Sequence, residues 1–392
     1  MNLIIIYGVG ERGKRLFLQL RDVVEELFLA VTNSAKEEYS DFLGTPIYSL
    51  AELGELKAEA VVIVASVGKN QKDMIEYAKR VGFKNVLHPN IHGEYERLTK
   101  MPYLDLKKEI TEWYAIRRNK WIDIDHPQNF DEKIQWLKLY DSTSTKTNLA
   151  DKYRVREYVK DIIGEEYLIP LIGVWNGYDE IEFDRLPERF VLKCNHGSSM
   201  NEIIKSKQAM DHELLKNRFN EWLNIDYSLA SGFEMHYRDI KRKIIAEEYI
   251  VSDDGEDLKD YKVHVFGGKA KLIQVDIGRY SNHRRNLYTT KWEYLPYSIC
   301  YPTAPDIVIE KPSHLDEMIM LAEKLAEGFM YVRVDFYISN NRIFFGEMTF
   351  THGSGDEIII PYEFGIEMGN WIQLAKNNHK VYKEQSDNCE NA

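Results

Sequence analysis

The opening of the chain is its tightest structural constraint. Leu3-Ile4-Ile5-Ile6-Tyr7 is a continuous apolar run, and a strand that is apolar on both faces has to be covered on both. Gly8-Val9-Gly10-Glu11-Arg12-Gly13 follows at once, then a helical pattern through Leu16, Phe17 and Leu20. Strand, glycine turn and helix in that order begin a doubly wound α/β unit. The pattern recurs. Leu27–Val31 predicts a second strand ending at Thr32-Asn33, and Ala60–Ala65 a third, before Ser66-Val67-Gly68 and a helix around Met74–Arg80. Val86-Leu87-His88-Pro89 predicts a short fourth strand.

This unit accounts for residues 1–98. Residues 99–150 read as a helical connector, with Ile134, Leu137 and Tyr140 at helical spacing, and 151–383 as a larger α+β region before a polar tail at 384–392. A chain of 392 residues, 44% hydrophobic, has material for two or three cores. Its net charge of −12 works against nucleic acid or anionic lipid as partners, without excluding a local basic pocket for a phosphate. Cys194, Cys300 and Cys389 fit neither a zinc site nor a disulfide framework, so a reducing cytoplasm is expected. No apolar run approaches the ~20 residues of a membrane helix, and no basic segment of a signal sequence precedes Leu3. Homo-oligomerisation is left open.

Gly8, Gly10 and Gly13 permit a tight turn and close approach of a phosphate to a helix N-terminus. A dinucleotide reading needs an acidic residue at the end of the second strand, where Asn33-Ser34 stands instead. Three readings stay open: a sugar-nucleotide site, a dinucleotide site, and a docking domain whose glycines serve only the turn. Leu43-Gly44-Thr45-Pro46-Ile47 and Val64-Ala65-Ser66-Val67-Gly68-Lys69-Asn70 resemble the N-terminal Rossmann-like domain of sugar-nucleotide acyltransferases. That resemblance implies a sugar-nucleotide ligand.

The larger region carries an ordered series of chemical blocks. Asp151-Lys152 opens a helix. Phe190-Val191-Leu192-Lys193 is a strand ending in lysine, followed by the small-residue loop Cys194-Asn195-His196-Gly197-Ser198-Ser199 and a returning strand at Ile203-Ile204. A lysine beside such a loop suits a polyphosphate, the lysine as point charge and the loop as a set of donors. Ile244–Ile250 is an apolar strand carrying Glu247 and Glu248; Asp260-Tyr261-Lys262 starts another. Tyr331-Val332-Arg333-Val334-Asp335-Phe336 places Arg333 and Asp335 on one face, and an Asn340-Asn341 turn would bring Glu347 back beside Asp335. Two hard carboxylates on paired strands suit Mg²⁺ bridging phosphates.

These blocks resemble the ATP-grasp superfamily, and with Asn129–Asp141 and Leu149–Tyr153 they resemble its TupA-like branch, associated with teichuronopeptide and other cell-surface polysaccharides. The expected fold is therefore an α/β Rossmann-like N-terminal domain plus an α+β ATP-grasp body. The resemblance implies that Lys152 and Lys193 bind ATP phosphates under a flap of Gly197, Ser198 and Ser199. It places adenine at Glu247, Glu248 and Ile250, and ribose at Asp260, with Lys262 nearby. It makes Asp335 and Glu347 ligands of Mg²⁺, and Arg333, with Lys193, catalytic. Thr349 stands where most ATP-grasp enzymes have an asparagine metal ligand. Gly353 and Ser354, in the loop from His352 to Gly355, fall where substrates are usually held.

The cluster Arg279, His283, Arg284, Arg285 and Lys291 reads either as an anion site, with Arg284 and Arg285 on the acceptor, or as a solvated loop. Lys152 and the Glu247-Glu248 pair have surface readings as well. His196 suits a plain hydrogen bond better than catalysis, and Cys194 suits packing. The expected activity is ATP-dependent carboxylate–amine ligation through an acyl phosphate, joining a uronic acid, free or nucleotide-linked, to a small amine in capsular polysaccharide biosynthesis. A glycosyltransferase and a non-catalytic nucleotide-binding scaffold are the alternatives.

Overall fold

The computed structural model describes residues 3–101, 104–251, 258–278 and 282–375. Arg279 and the polar tail lie outside them. The chain forms two compact units, Met1–Asp123 and Ile124–Ala392.

The first unit contains a six-stranded sheet. Its strands are β1 (Leu3–Tyr7), β2 (Glu26–Val31), β3 (Asp41–Phe42), β4 (Thr45–Ser49), β5 (Val61–Val64) and β6 (Asn85–Leu87), in the order β3-β4-β2-β1-β5-β6. All neighbours are parallel except β3, which pairs antiparallel with β4. The β4 strand was hidden in sequence, because Pro46 reads as a strand breaker and pairing with β2 and β3 decides it. Leu3, Ile5 and Tyr7 pack on one face with Met74 and Ala78 of α2 (Gly68–Val81). Ile4 and Ile6 pack on the other with Phe17 and Leu18 of α1 (Glu11–Leu20). The continuous apolar run is therefore buried on both sides, which is the doubly wound arrangement.

The stretch expected as a connector is divided instead. α3 (Glu94–Thr99) and α4 (Leu106–Arg118) belong to the first unit. Arg15 donates to Glu112 and Glu94, and Arg97 to Glu94 and Glu109, a buried ionic cluster joining α1, α3 and α4. α5 (Phe130–Tyr140) and α6 (Ser144–Ala150) belong to the second unit. The Asn129 side chain caps α5 at the Glu132 N–H (2.9 Å), and Glu132 accepts from the Gln128 N–H (2.8 Å). Lys133 donates to the carbonyls of Gly369 and Ile372.

The second unit continues with α7 (Val155–Ile162) and two principal antiparallel sheets. The smaller sheet contains β7 (Leu171–Trp175), β8 (Phe190–Cys194), β9 (Asn201–Ile204) and β10 (Ile244–Glu248), ordered β7-β10-β8-β9, with α8 (His212–Asn224) and α9 (Tyr227–Ala230) between β9 and β10 in the chain. The larger contains β11 (Asp260–Phe266), β12 (Lys269–Ile277), β13 (Arg284–Tyr288), β14 (Tyr294–Leu295), β16 (Tyr331–Ser339) and β17 (Arg342–Thr349), ordered β14-β13-β12-β11-β16-β17. β15 (Ser298–Ile299) pairs with β18 (Ile359–Ile360), and α10 (Leu315–Leu325) and α11 (Tyr362–Trp371) complete the unit. Along the larger sheet the residues alternate. Val263, Val265, Val275, Val332, Val334 and Phe336 enter a core with α7 and α10, which leaves the opposite face to the intervening polar residues. Among the described residues, no helix is long and apolar enough to cross a membrane.

Candidate active site

The site begins with strand register. Asp335 pairs with Glu347 and Arg333 with Thr349, across a hairpin turned by Asn340 and Asn341 at φ 52° and 54°. On the other side of β16, Lys262 pairs with Asp335 and His264 with Arg333. Further along, Gln274 faces Lys262 and Arg285 faces Asp276. Residues directly opposite or two apart share a face, so one face gathers all of these side chains, and Asp260 with them.

They neutralise one another. Arg333 donates Nε to Asp335 Oδ1 and Nη2 to Asp335 Oδ2, both at 2.7 Å, and Nη2 also to Glu347 Oε1 at 3.1 Å. Lys262 donates to Asp335 (2.9 Å) and to Asp260. Burial disfavours its charge, but Asp260 and Asp335 more than offset this and raise its pKa. Burial alone would also raise Glu347, yet Lys152 and Arg333 hold its carboxyl well below the usual range.

Lys152 links this face to the smaller sheet. Its Nζ lies 3.2 Å from Glu347 Oε2 and donates to the Gly197 carbonyl at 2.9 Å. The loop carrying Gly197 joins β8 to β9, and its base is pinned by Asn195, a residue whose part the sequence did not signal. Asn195 donates to Asp151 (2.8 Å) and the Lys241 carbonyl (3.0 Å) and accepts from the Lys243 N–H (2.7 Å). Its backbone carbonyl accepts from the Lys152 N–H. Gly197 is required sterically: a Cβ there would sit 2.8 Å from Tyr227 Cδ2 and 2.9 Å from Met200 Sδ. Ser198 and Ser199, at the tip, are exposed. His196 is buried below them and donates Nε2–H to the Trp222 carbonyl. Cys194 packs in the core of the smaller sheet.

The remaining expected site residues fall around this centre. Lys193 pairs with Glu247, which Arg156 also reaches at 3.1 Å, so buried Glu247 is an ionic partner of both Lys193 and Arg156. Glu248 is exposed and Ile250 half-buried. Arg285 is buried between Asp276 (2.7 Å) and Glu357 (2.8 Å), whereas Arg284 is more exposed and pairs with Asp306. The basic cluster is thus divided between a buried ionic partner and a surface residue. Gly353 and Ser354 lie in a 3₁₀ turn, His352–Gly355, both with positive φ. Gln135 of α5 holds that turn by donating to the carbonyls of Ser354 (3.0 Å) and Gly355 (2.9 Å). Buried Lys138 in turn donates to Gln135 and to the Gly232 carbonyl. The polar positions of the Asn129–Asp141 block therefore support the site from behind.

Asp335, Glu347 and Thr349, whose hydroxyl is 3.3 Å from Glu347 Oε1, set three hard-oxygen side chains together on paired strands. Among the described residues, no three His, Cys, Asp or Glu side chains form a metal-holding group. The donor set fits Mg²⁺ held by one or two carboxylates together with nucleotide phosphates. In the first unit, Gly8 has φ 110° and a Cβ on Gly13 would lie 1.7 Å from the Gly8 carbonyl oxygen, while one on Gly10 would meet nothing within 4 Å. Two glycines serve the turn and the helix–strand crossing. The middle one faces open space, and neither α1 nor α2 has a side-chain N-cap.

A lysine-bearing strand and small-residue loop beside a carboxylate hairpin, on two antiparallel sheets, define the ATP-grasp class. The sequence narrows this further: residues 132–373 match the model of the TupA-like ATPgrasp family. The chain belongs to the TupA-like ATP-grasp family. Among solved structures, D-alanine–D-alanine ligase from Bacillus anthracis complexed with ATP is similar at 13% identity and TM-score 0.34, over 98% of this chain and 99% of that one. N5-carboxyaminoimidazole synthetase from Staphylococcus aureus complexed with ADP is similar at 13% identity and TM-score 0.33, over 96% and 80%. The ATP-grasp ligase PsnB, complexed with a minimal precursor, is similar at 12% and 0.32, over 90% and 91%. No curated protein sequence matches the chain.

Proposed function

We propose that the protein is an ATP-dependent carboxylate–amine ligase. The observation that carries this reading is the convergence of Lys152, Lys262 and Arg333 on Asp335 and Glu347, beside the Ser198-Ser199 loop. ATP would lie with its phosphates under that loop, near Lys152 and Lys193. Its adenine and ribose would lie near Glu248, Ile250 and the edge carrying Asp260. In the reaction, a substrate carboxylate oxygen attacks the γ-phosphorus, and the bond to the bridging oxygen breaks to release ADP. An amine then attacks the acyl carbon, phosphate leaves, and the amine loses a proton.

Lys152 and Lys193 stabilise charge on the transferring phosphoryl group. Arg333 is aligned for the acyl phosphate and its tetrahedral successor. Four of its five N–H groups have acceptors in Asp335, Glu347 and His352. The fifth, on Nη1, has no partner among the described residues. Mg²⁺ bound through Glu347, Asp335 and Thr349 would neutralise phosphate charge.

The family context supports a uronic acid, free or nucleotide-linked, as the acid, an amino acid or amino alcohol as the amine, and a place in capsular polysaccharide biosynthesis. The open turn at Gly10 supports the α/β unit as a sugar-nucleotide site. Incubation with ATP, Mg²⁺, UDP-glucuronate and an amine pool should release ADP. Lys193→Ala and Glu347→Ala should abolish that release, and full turnover in both would overturn the site assignment.

A further inference from the structure

We propose that His352 is a positioning residue for Arg333, its neutral ring accepting a hydrogen bond from the guanidinium at Nδ1. The proposal rests on the ligase reading of the site.

His352 is 2% exposed and starts the 3₁₀ turn after β17. Its Nδ1 lies 2.8 Å from Arg333 Nη1. Arginine can only donate, so Nδ1 carries the lone pair and not the proton. With Nδ1 unprotonated, the proton of the neutral ring sits on Nε2. Its Nε2 lies 2.9 Å from Glu357 Oε2, within ion-pair distance but without the geometry of a hydrogen bond. A second proton on the ring would point at the guanidinium; burial opposes it most, and although the Glu357 carboxylate favours it, burial with the charges of Arg333 and Arg285 prevails. Glu357 is itself fixed by Arg285 at 2.8 Å, and Arg285 by Asp276 at 2.7 Å. A line of alternating charge thus runs from Asp276 to Arg333 through one neutral imidazole.

The consequence is directional. Asp335 grips Nε and Nη2, along one edge of the guanidinium. His352 takes one of the two Nη1 hydrogens on the opposite side. The remaining Nη1 hydrogen is then the one fixed group that Arg333 can offer a developing oxyanion. Neither Asp335 nor Glu347 restrains that end.

The test compares His352→Leu, which removes the acceptor, with His352→Asn, whose amide oxygen can stand where Nδ1 was. Titration calorimetry would measure ADP with Mg²⁺, alone and with fluoroaluminate as a mimic of the transferring phosphoryl group, alongside kcat and KM for ATP. For His352→Leu, affinity for ADP alone and the KM for ATP should stay within about twofold, while the gain from fluoroaluminate and kcat should fall by ~10- to 100-fold, the scale of a misplaced positioning group. His352→Asn should recover most of that loss. Equal fluoroaluminate gains in wild type and His352→Leu would overturn the proposal. So would parallel losses of ADP affinity in both variants, the mark of a merely structural role. A wild type that binds no ADP would overturn the ligase reading itself, and the proposal with it.

Discussion

Asn195, buried, and Glu357, half-buried, each tie together several elements. Asn195 bonds Asp151 and the backbone of Lys241 and Lys243 through its side chain. Asn195→Ala leaves a buried carboxylate and two backbone groups short of partners, so it should cost ~2–3 kcal/mol in urea unfolding, by the desolvation of unsatisfied buried groups. An unchanged midpoint would show that the loop base is not held this way. Glu357 makes a pH prediction. Burial pushes its carboxyl upward, but the neighbouring His352 and Arg285 win and hold it below the usual carboxylate range. A depressed carboxylate stabilises the fold above its unfolded value near 4.5 and loses that contribution as pH falls toward 2. The stability gap between wild type and Glu357→Gln should therefore be widest above pH ~5 and close through that window, a course that urea midpoints across pH would follow. A gap constant down to pH ~3 would contradict it. Neither role was legible in sequence, because Asn195 acts on residues more than forty positions away and Glu357 is anchored by distant Arg285.

At the scale of elements, the sequence was most informative where a local period or a short turn decided the outcome. The double-sided burial of Leu3–Tyr7 and the hairpin placing Glu347 opposite Asp335 were both written in short stretches. The same holds for the strand carrying Lys193 and its loop, though the strand runs one residue further than expected, to Cys194. β4 and the ionic environment of Glu247 were not, since the first depends on pairing with β2 and β3 and the second on Arg156 and Lys193 from other elements. The β1–α1 crossing yields a direct test. Gly13→Ala places a methyl group 1.7 Å from the Gly8 carbonyl oxygen, a backbone atom that cannot rotate away. Overpacking there should cost ~2 kcal/mol or more and raise hydrogen exchange in β1 and β5. Wild-type protection would show that the helix can slide.

For the whole molecule, the −12 charge describes an average and not the site. Lys152, Lys262, Arg333 and Arg285 are each matched to carboxylates, so on the proposed reading a nucleotide bound there would exchange partners with the protein's own ion pairs. The division of the chain was half legible. The two sheet systems follow from their patterns, but residues 99–150 looked like one connector because helical periodicity does not say which core a helix serves. Long-range bonds decide that: Glu109 and Glu112 to Arg15 and Arg97 on one side, Gln135 to the 352–355 turn on the other. The central claim is that one site couples ATP cleavage to amide formation. It is tested most directly by mass spectrometry of a reaction containing ATP, Mg²⁺, a mixed pool of uronates and nucleotide uronates, and a pool of small amines. The account predicts ADP, phosphate and an amide in equal amounts, all lost in Lys193→Ala. Glycosidic product without ADP, or ADP release with no new amide under any pairing, would contradict it.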